Sequence, residues 1–369
     1  MTSRLGQAAP ALAWYVAVRV LVLGVLAAWS AAAGRDAHRL LVSWDAQWYK
    51  GIAENGYGFV RMHPDGRELA DYAFFPLFPG LERLVSEATG LAVVDAGLMI
   101  SALSSVVAAW GIFAIGDHLH GRRVATVLVV LWAALPIGIV TSMAYSESLF
   151  TAAAAWSLYA VLTRHWIWAG SLAALAGLTR PVGAAVVAAV LVAAVVALLG
   201  DTGPGRRTRV VVGAAIAPLG LVGYVGWVGV RTGSPLGYFE VAGDWGNSLD
   251  GGRALARWVG DLFTGGQAVS GLLVCAGVAA LIGLFLLGVR QGQPLPLLVF
   301  TGVLVLLALA TSGYFGSKPR YLLPAFPLLL PLAVPLSRLR PGVVAGILGL
   351  LAAGASAYGA VWLLGPGPP

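Results

Sequence analysis

The chain has 369 residues, of which 59% are hydrophobic and only 11% charged, against roughly 25% charged in ordinary globular domains. That composition excludes a pair of soluble domains and points to an integral membrane protein with many spans. The formal charge of +7 is carried by scattered arginines, with no basic run beyond Arg206, Arg207 and Arg209, which argues against a nucleic-acid surface.

A bilayer span needs about 20 apolar residues. Eleven segments qualify or nearly so: 11–33, 91–116, 124–142, 147–163, 166–179, 182–200, 210–230, 268–289, 294–311, 321–337 and 341–364. The first is longer than the roughly 7–15 apolar residues of a signal peptide, so it reads as an uncleaved span. It holds Arg19 within its apolar run. The segment 166–179 is short and is broken by Thr179-Arg180-Pro181, because proline removes a backbone donor and clashes with the preceding turn. Cys275 is the lone cysteine, so no disulfide forms within the chain. The expected architecture is an all-α polytopic bundle, a single membrane domain over 1–369 with about eleven transmembrane helices.

Orientation follows from the short loops. With the N-terminus in the cytoplasm, the inner loops hold Arg4, Arg122, Arg123, Arg164, Arg206, Arg207, Arg209, Arg290, Arg338 and Arg340, against Asp117 and Asp201. Positive residues in short loops mark the cytoplasmic side. Two longer loops, 34–90 and 231–267, then lie outside the cell membrane.

The first outer loop opens on Trp44-Asp45-Ala46-Gln47-Trp48-Tyr49. Asp45, Trp48, Tyr49 and Ile52 follow helical spacing and share one face, which predicts an interfacial helix with aromatics at the headgroups. A second interfacial helix is expected through Glu82 and Arg83. Aspartate is disfavoured so near hydrocarbon, so Asp45 is a candidate functional residue. Further polar clusters fall on the same side: Asp71 before the FFPLFP run, Tyr145-Ser146-Glu147-Ser148, Thr179-Arg180-Pro181, and Lys318-Pro319-Arg320-Tyr321. Such a set suits a lipid-linked sugar. Arginines and a lysine at interface depth suit a phosphate, a carboxylate suits a general base, and aromatics such as Trp44, Trp48 and Tyr49 suit sugar faces and a prenyl chain. Plainer readings stand beside these. Asp45 would cap its helix, Arg180, Lys318 and Arg320 would anchor the interface, and Glu147 would pair with a neighbouring arginine. The histidines show no metal-ligand spacing, and no phosphate-binding glycine loop appears.

At these motifs the chain resembles the GPI mannosyltransferase II-like, or PIG-V-type, family of the GT-C glycosyltransferases. WDAQWY, AFFPLFP, AYSES, LTRP and KPRYLLPAFPL follow one another in order. The resemblance implies a GT-C-type bundle and an inverting glycosyltransferase, with polyprenyl-phosphate mannose as donor and transfer on the extracytoplasmic face. It places the catalytic aspartate at Asp45. Arg180, Lys318 and Arg320 would hold the lipid phosphate, while Asp71 or Glu147 would position sugar or acceptor, with Tyr321 beside them. The partners implied are membrane lipids, the lipid-linked donor and a glycan, lipid or protein acceptor, with no nucleic acid. No cofactor is implied, although some members of the class use a divalent metal. A flippase for a lipid-linked sugar and a non-catalytic membrane subunit are the competing readings.

Overall fold

The computed structural model describes residues 2–200, 203–365 and 367; Asp201, counted above with the inner loops, lies outside them. The chain opens with α1 (Thr2–Ala32), a short α2 (Ala37–Leu41), α3 (Asp45–Asn55), the hairpin β1 (Val60–Met62) and β2 (Glu68–Ala70), and α4 (Leu77–Thr89). The first half of the bundle follows as α5 (Val93–His120), α6 (Arg122–Ala133), α7 (Glu147–Leu162), α8 (Trp166–Gly177) and α9 (Gly183–Leu199). Next come α10 (Pro204–Ile216), α11 (Leu219–Thr232), α12 (Gly237–Asp244), α13 (Arg253–Thr264), α14 (Ala268–Arg290) and α15 (Leu295–Ala310). α16 (Lys318–Leu322), α17 (Leu330–Ser337) and α18 (Pro341–Leu364) close the chain. One apolar core joins α1, α5 to α9 and the C-terminal helices through residues such as Tyr15, Leu26, Ile112, Trp132, Phe150, Phe300, Phe326 and Leu363. The protein is an all-α membrane protein with several spans.

Each of the eleven expected segments is helical over most of its length, but they are not eleven straight crossings. Among the described residues, five helical stretches are long and apolar enough to cross a bilayer: 6–32, 93–120, 205–232, 268–290 and 341–364. A sixth is added if α6 and the 3-10 segment Pro136–Ser142 are one span, and these two are bent by 83°. The break has a sequence cause, since Pro136 cannot donate to the preceding turn. It also has a partner. Arg19, buried inside the first span, donates Nη1 to the Gly138 carbonyl at 2.5 Å and to Thr141 Oγ1 at 3.0 Å, and Nη2 to the Ala133 carbonyl. An intramembrane arginine and a broken helix are each costly in hydrocarbon; here the donors of one meet the loose carbonyls of the other. The segment 321–337 is likewise broken, into α16, a 3-10 turn over Phe326–Leu329 and α17. Four prolines between Pro319 and Pro331 prevent a continuous helix there.

The two long loops pack on each other and carry more structure than interfacial helices alone. In the first, β1 and β2 pair antiparallel with Val60 opposite Ala70. In the second, the chain folds into α12 and α13. Trp245, just after α12, donates Nε1 to the Ala70 carbonyl at 2.9 Å and lies edge-on to Trp48 and Phe74. Arg67 donates to the Asp244 carbonyl at 3.0 Å. α4 lies against α5 so closely that a Cβ at Gly97 would sit 2.2 Å from Glu82 Oε1. Only glycine leaves room for that carboxyl.

Candidate active site

α3 starts after a forced turn. Trp44 has φ +60° and ψ −117°, a conformation that a residue with a Cβ rarely holds without support. The support is Tyr145, whose ring belongs to the buried segment before α7. The Asp45 N–H donates to Tyr145 Oη at 3.3 Å, and that hydroxyl donates to the Ser43 carbonyl at 3.3 Å. Nearby, the Ala144 N–H donates to the Leu41 carbonyl at 3.1 Å. The first loop is thereby docked onto the bundle with Asp45 at its edge.

Around Asp45 four charged side chains from four distant segments form one chain of contacts. Arg320 donates Nη2 to Asp45 Oδ2 at 2.6 Å and Nε to Glu147 Oε1 at 2.7 Å. Arg180 Nη1 lies 2.7 Å from the same Glu147 oxygen and donates to Ser146 Oγ at 3.2 Å. Ser146 Oγ is 2.7 Å from Tyr49 Oη. The Arg320 guanidinium also lies over the Tyr145 ring, 4.6 Å from its centre. Glu147 Oε2 is buried without a hydrogen-bond partner.

The four charges sum to zero, but they differ in access. The side chains of Glu147 and Arg320 are 1% and 7% exposed, those of Arg180 and Asp45 14% and 25%. A substrate can therefore reach Asp45 and the edge of Arg180 first. The position of Glu147 at the first turn of α7 favours its negative charge, and one of its oxygens holds both guanidiniums in place. Tyr49, within α3 and buried, has its phenol pushed up, chiefly by burial, so it remains a neutral hydroxyl beside Ser146.

The remaining sequence candidates fall in three places. Tyr321 follows Arg320 and is within electrostatic reach of Arg180, Arg320 and Asp45. Trp44 is 44% exposed at the rim of the site. Trp48 is one step removed, stacked on Phe74 at 5.6 Å, edge-on to Trp245 and under the Arg61 guanidinium. Asp71 ties its own loop: its carboxylate accepts from the Gly58 and Phe59 N–H groups at 3.0 and 2.9 Å. Burial pushes that carboxyl up, and the two N–H donors oppose the rise. Lys318 is engaged elsewhere. Its ammonium donates to the Ala308 carbonyl at 3.0 Å and to the Thr311 carbonyl, at the end of α15, and lies over the Phe315 ring.

Two site residues escaped the sequence reading in their roles. Tyr145 was visible only as part of a motif; its packing under Arg320 depends on a contact across 175 residues. Tyr238, on α12, is buried and within electrostatic reach of Arg180, Tyr49 and Tyr321. Its sole sequence signal was an aromatic in a glycine-rich outer loop. Among the described residues no three His, Cys, Asp or Glu side chains gather in a way that could hold a metal ion.

A family model described as dolichyl-phosphate-mannose-protein mannosyltransferase matches residues 76–224, less than half of the chain. Its bounds take in Glu147 and Arg180 but neither Asp45 nor Arg320. The structure is similar to ArnT from Cupriavidus metallidurans bound to undecaprenyl phosphate, with a TM-score of 0.58 and 17% identity over 96% of this chain and 69% of that one. The fold is of the GT-C type. The apo state of the same ArnT matches with a TM-score of 0.52 and 16% identity over 86% of this chain and 68% of that one. The apo oligosaccharyltransferase of Archaeoglobus fulgidus matches with a TM-score of 0.51 and 14% identity, over 96% of this chain and 56% of that one. No curated protein matches the chain in sequence.

Proposed function

We propose that this chain is an inverting glycosyltransferase, related to the PIG-V-type enzymes, that moves mannose from a polyprenyl-phosphate donor to an acceptor hydroxyl. The reading is carried by one observation: Asp45, Glu147, Arg180 and Arg320 converge in a single ion-pair chain at the mouth of a GT-C-type bundle. Two likenesses support the donor class. The matching family model is named for dolichyl-phosphate-mannose, and the similar ArnT structure is bound to undecaprenyl phosphate. The arginine asymmetry of the short loops supports a cytoplasmic N-terminus and a site on the extracytoplasmic face of the cell membrane.

In this reading Asp45 takes the proton of the acceptor hydroxyl. The acceptor oxygen forms a bond to the anomeric carbon on the side opposite the phosphate. The bond from that carbon to the phosphate oxygen breaks, and its electron pair leaves with the lipid phosphate. Arg320 and Arg180 oppose the negative charge on the leaving phosphate. Because the leaving group is anionic, the step needs one base and no paired acid, unlike a typical glycosidase. Trp44, exposed at the rim, meets the sugar or prenyl chain, with Tyr321 and the buried Tyr238 packed behind the arginines. Lys318 caps α15 and has no step assigned to it, and Asp71 fixes the loop that carries the aromatics.

The test is a donor comparison in sealed proteoliposomes. Radiolabelled polyprenyl-phosphate mannose, polyprenyl-phosphate glucose and GDP-mannose are offered with a crude envelope extract as acceptor. Transfer from the lipid-linked mannose alone supports the reading. Transfer from the nucleotide sugar, or lipid movement across the membrane without transfer, refutes it.

A further inference from the structure

The two arginines that would meet the lipid phosphate are neutralised by carboxylates of the chain itself. Glu147 is almost wholly buried, and its Oε1 serves Arg180 at 2.7 Å and Arg320 at 2.5 Å. Asp45 is the accessible member, and its Oδ2 holds Arg320 at 2.6 Å. An arriving phosphate cannot displace Glu147 without stranding a buried carboxylate, which is costly. It can displace Asp45, which is partly in water and loses little by leaving.

We infer that the Asp45–Arg320 ion pair is a resting latch opened by the donor phosphate, with Glu147 as the fixed positioning residue that keeps both arginines in place throughout. The inference rests on the donor class proposed above and adds an order of events. Before the donor binds, the Asp45 carboxylate is engaged by Arg320. When the phosphate takes Arg320, Asp45 loses that partner, and the freed carboxylate can turn to the acceptor hydroxyl. The base is thereby released only when there is a donor to attack. The Asp45 backbone stays fixed during the exchange, since its N–H is held by Tyr145 Oη and its turn by Trp44. The movement is confined to one short side chain.

The latch makes a prediction opposite to that of a simple binding residue. Asp45→Asn removes the competitor for Arg320, so it should tighten binding of the phosphate lipid while abolishing transfer. The probe is undecaprenyl phosphate without sugar, titrated into purified protein in nanodiscs at low salt and followed by tryptophan fluorescence. The expected gain in affinity is about fivefold, the size of one partly exposed ion pair. In an Arg320→Met background the same Asp45→Asn change should give no gain, because no latch remains to be opened. Unchanged or weaker binding by Asp45→Asn, in a folded protein, overturns the latch. An equal gain in the Arg320→Met background also overturns it, since general charge removal then accounts for the effect. Failure of the unaltered protein to bind the lipid at all overturns the donor class itself, and the latch with it.

Discussion

Glu82 offers a sharp test of how the outer loop is packed. It lies on α4, is fully buried, and neither carboxylate oxygen has a hydrogen-bond partner. Oε1 fills the space left by the missing side chain of Gly97, next to Ala144. Burial, with a smaller push from Glu54 on α3, raises its pKa to about 9 from the ordinary value of 4.5. Below the unfolded pKa both states carry the proton and the site has no pH-dependent cost. Between the two values the unfolded chain ionises while the folded chain keeps its proton. Folding stability then falls by about 1.36 kcal/mol per pH unit. By neutral pH the accumulated penalty is about 3 kcal/mol, and it levels off once the folded carboxyl also ionises. Glu82→Gln keeps the shape and removes the titration. Relative to the unaltered protein it should be stabilised at about pH 8 by several kcal/mol, and the advantage should shrink to near nothing at about pH 4.5. Chemical unfolding in detergent at a series of pH values measures the difference. A difference that does not change with pH would show that Glu82 is ionised or solvated in the folded protein, contrary to the packing described.

Other predictions follow from single contacts. Arg19→Met takes the guanidinium from the carbonyls of Ala133 and Gly138 at the bend after α6, leaving Thr141 Oγ1 on the latter, and should destabilise the protein by about 2 kcal/mol in a thermal or chemical unfolding assay. Gly97→Ala drives a methyl into Glu82 and should cost about 1–3 kcal/mol, a loss that a paired Glu82→Ala change should partly restore. Lys318→Met removes a cap from α15 and should lower unfolding stability with little change in affinity for undecaprenyl phosphate. Arg320→Met should do the reverse on affinity, weakening binding at least tenfold, or about 1.4 kcal/mol.

Composition and periodicity carried the membrane class, and the segments they marked became helices. The spacing of Asp45, Tyr49 and Ile52 correctly placed α3, because a helix face is written locally. Only the break at Pro181 was read from the sequence; Pro136 and the prolines following Pro319, up to Pro331, lay inside segments expected as continuous spans. The partner of the break at Pro136 was not legible either, since Arg19 lies 114 residues from the carbonyl of Ala133 that it satisfies. The same limit applies at the site. Asp45, Glu147, Arg180 and Arg320 were each visible as polar residues in a hydrophobic setting. Their order in one ion-pair chain, with Glu147 in the middle, depends on four segments meeting in space. Lys318 shows the converse: a cation two residues from Arg320 looked equivalent in sequence, yet the turn into α16 aims its ammonium at the end of α15. The outer loops were the least legible part. Tyr238 and Trp245 reach the first loop through packing that no local pattern announces.

The central claim is that Asp45 removes the acceptor proton in transfer from a lipid-phosphate sugar. Its most direct test compares the unaltered protein with Asp45→Asn in the same membranes, counting radiolabelled mannose moved from polyprenyl-phosphate mannose to acceptor. The account predicts that transfer falls by at least about a hundredfold, while the variant remains folded and still binds undecaprenyl phosphate. Transfer by Asp45→Asn at a rate near that of the unaltered protein would contradict it.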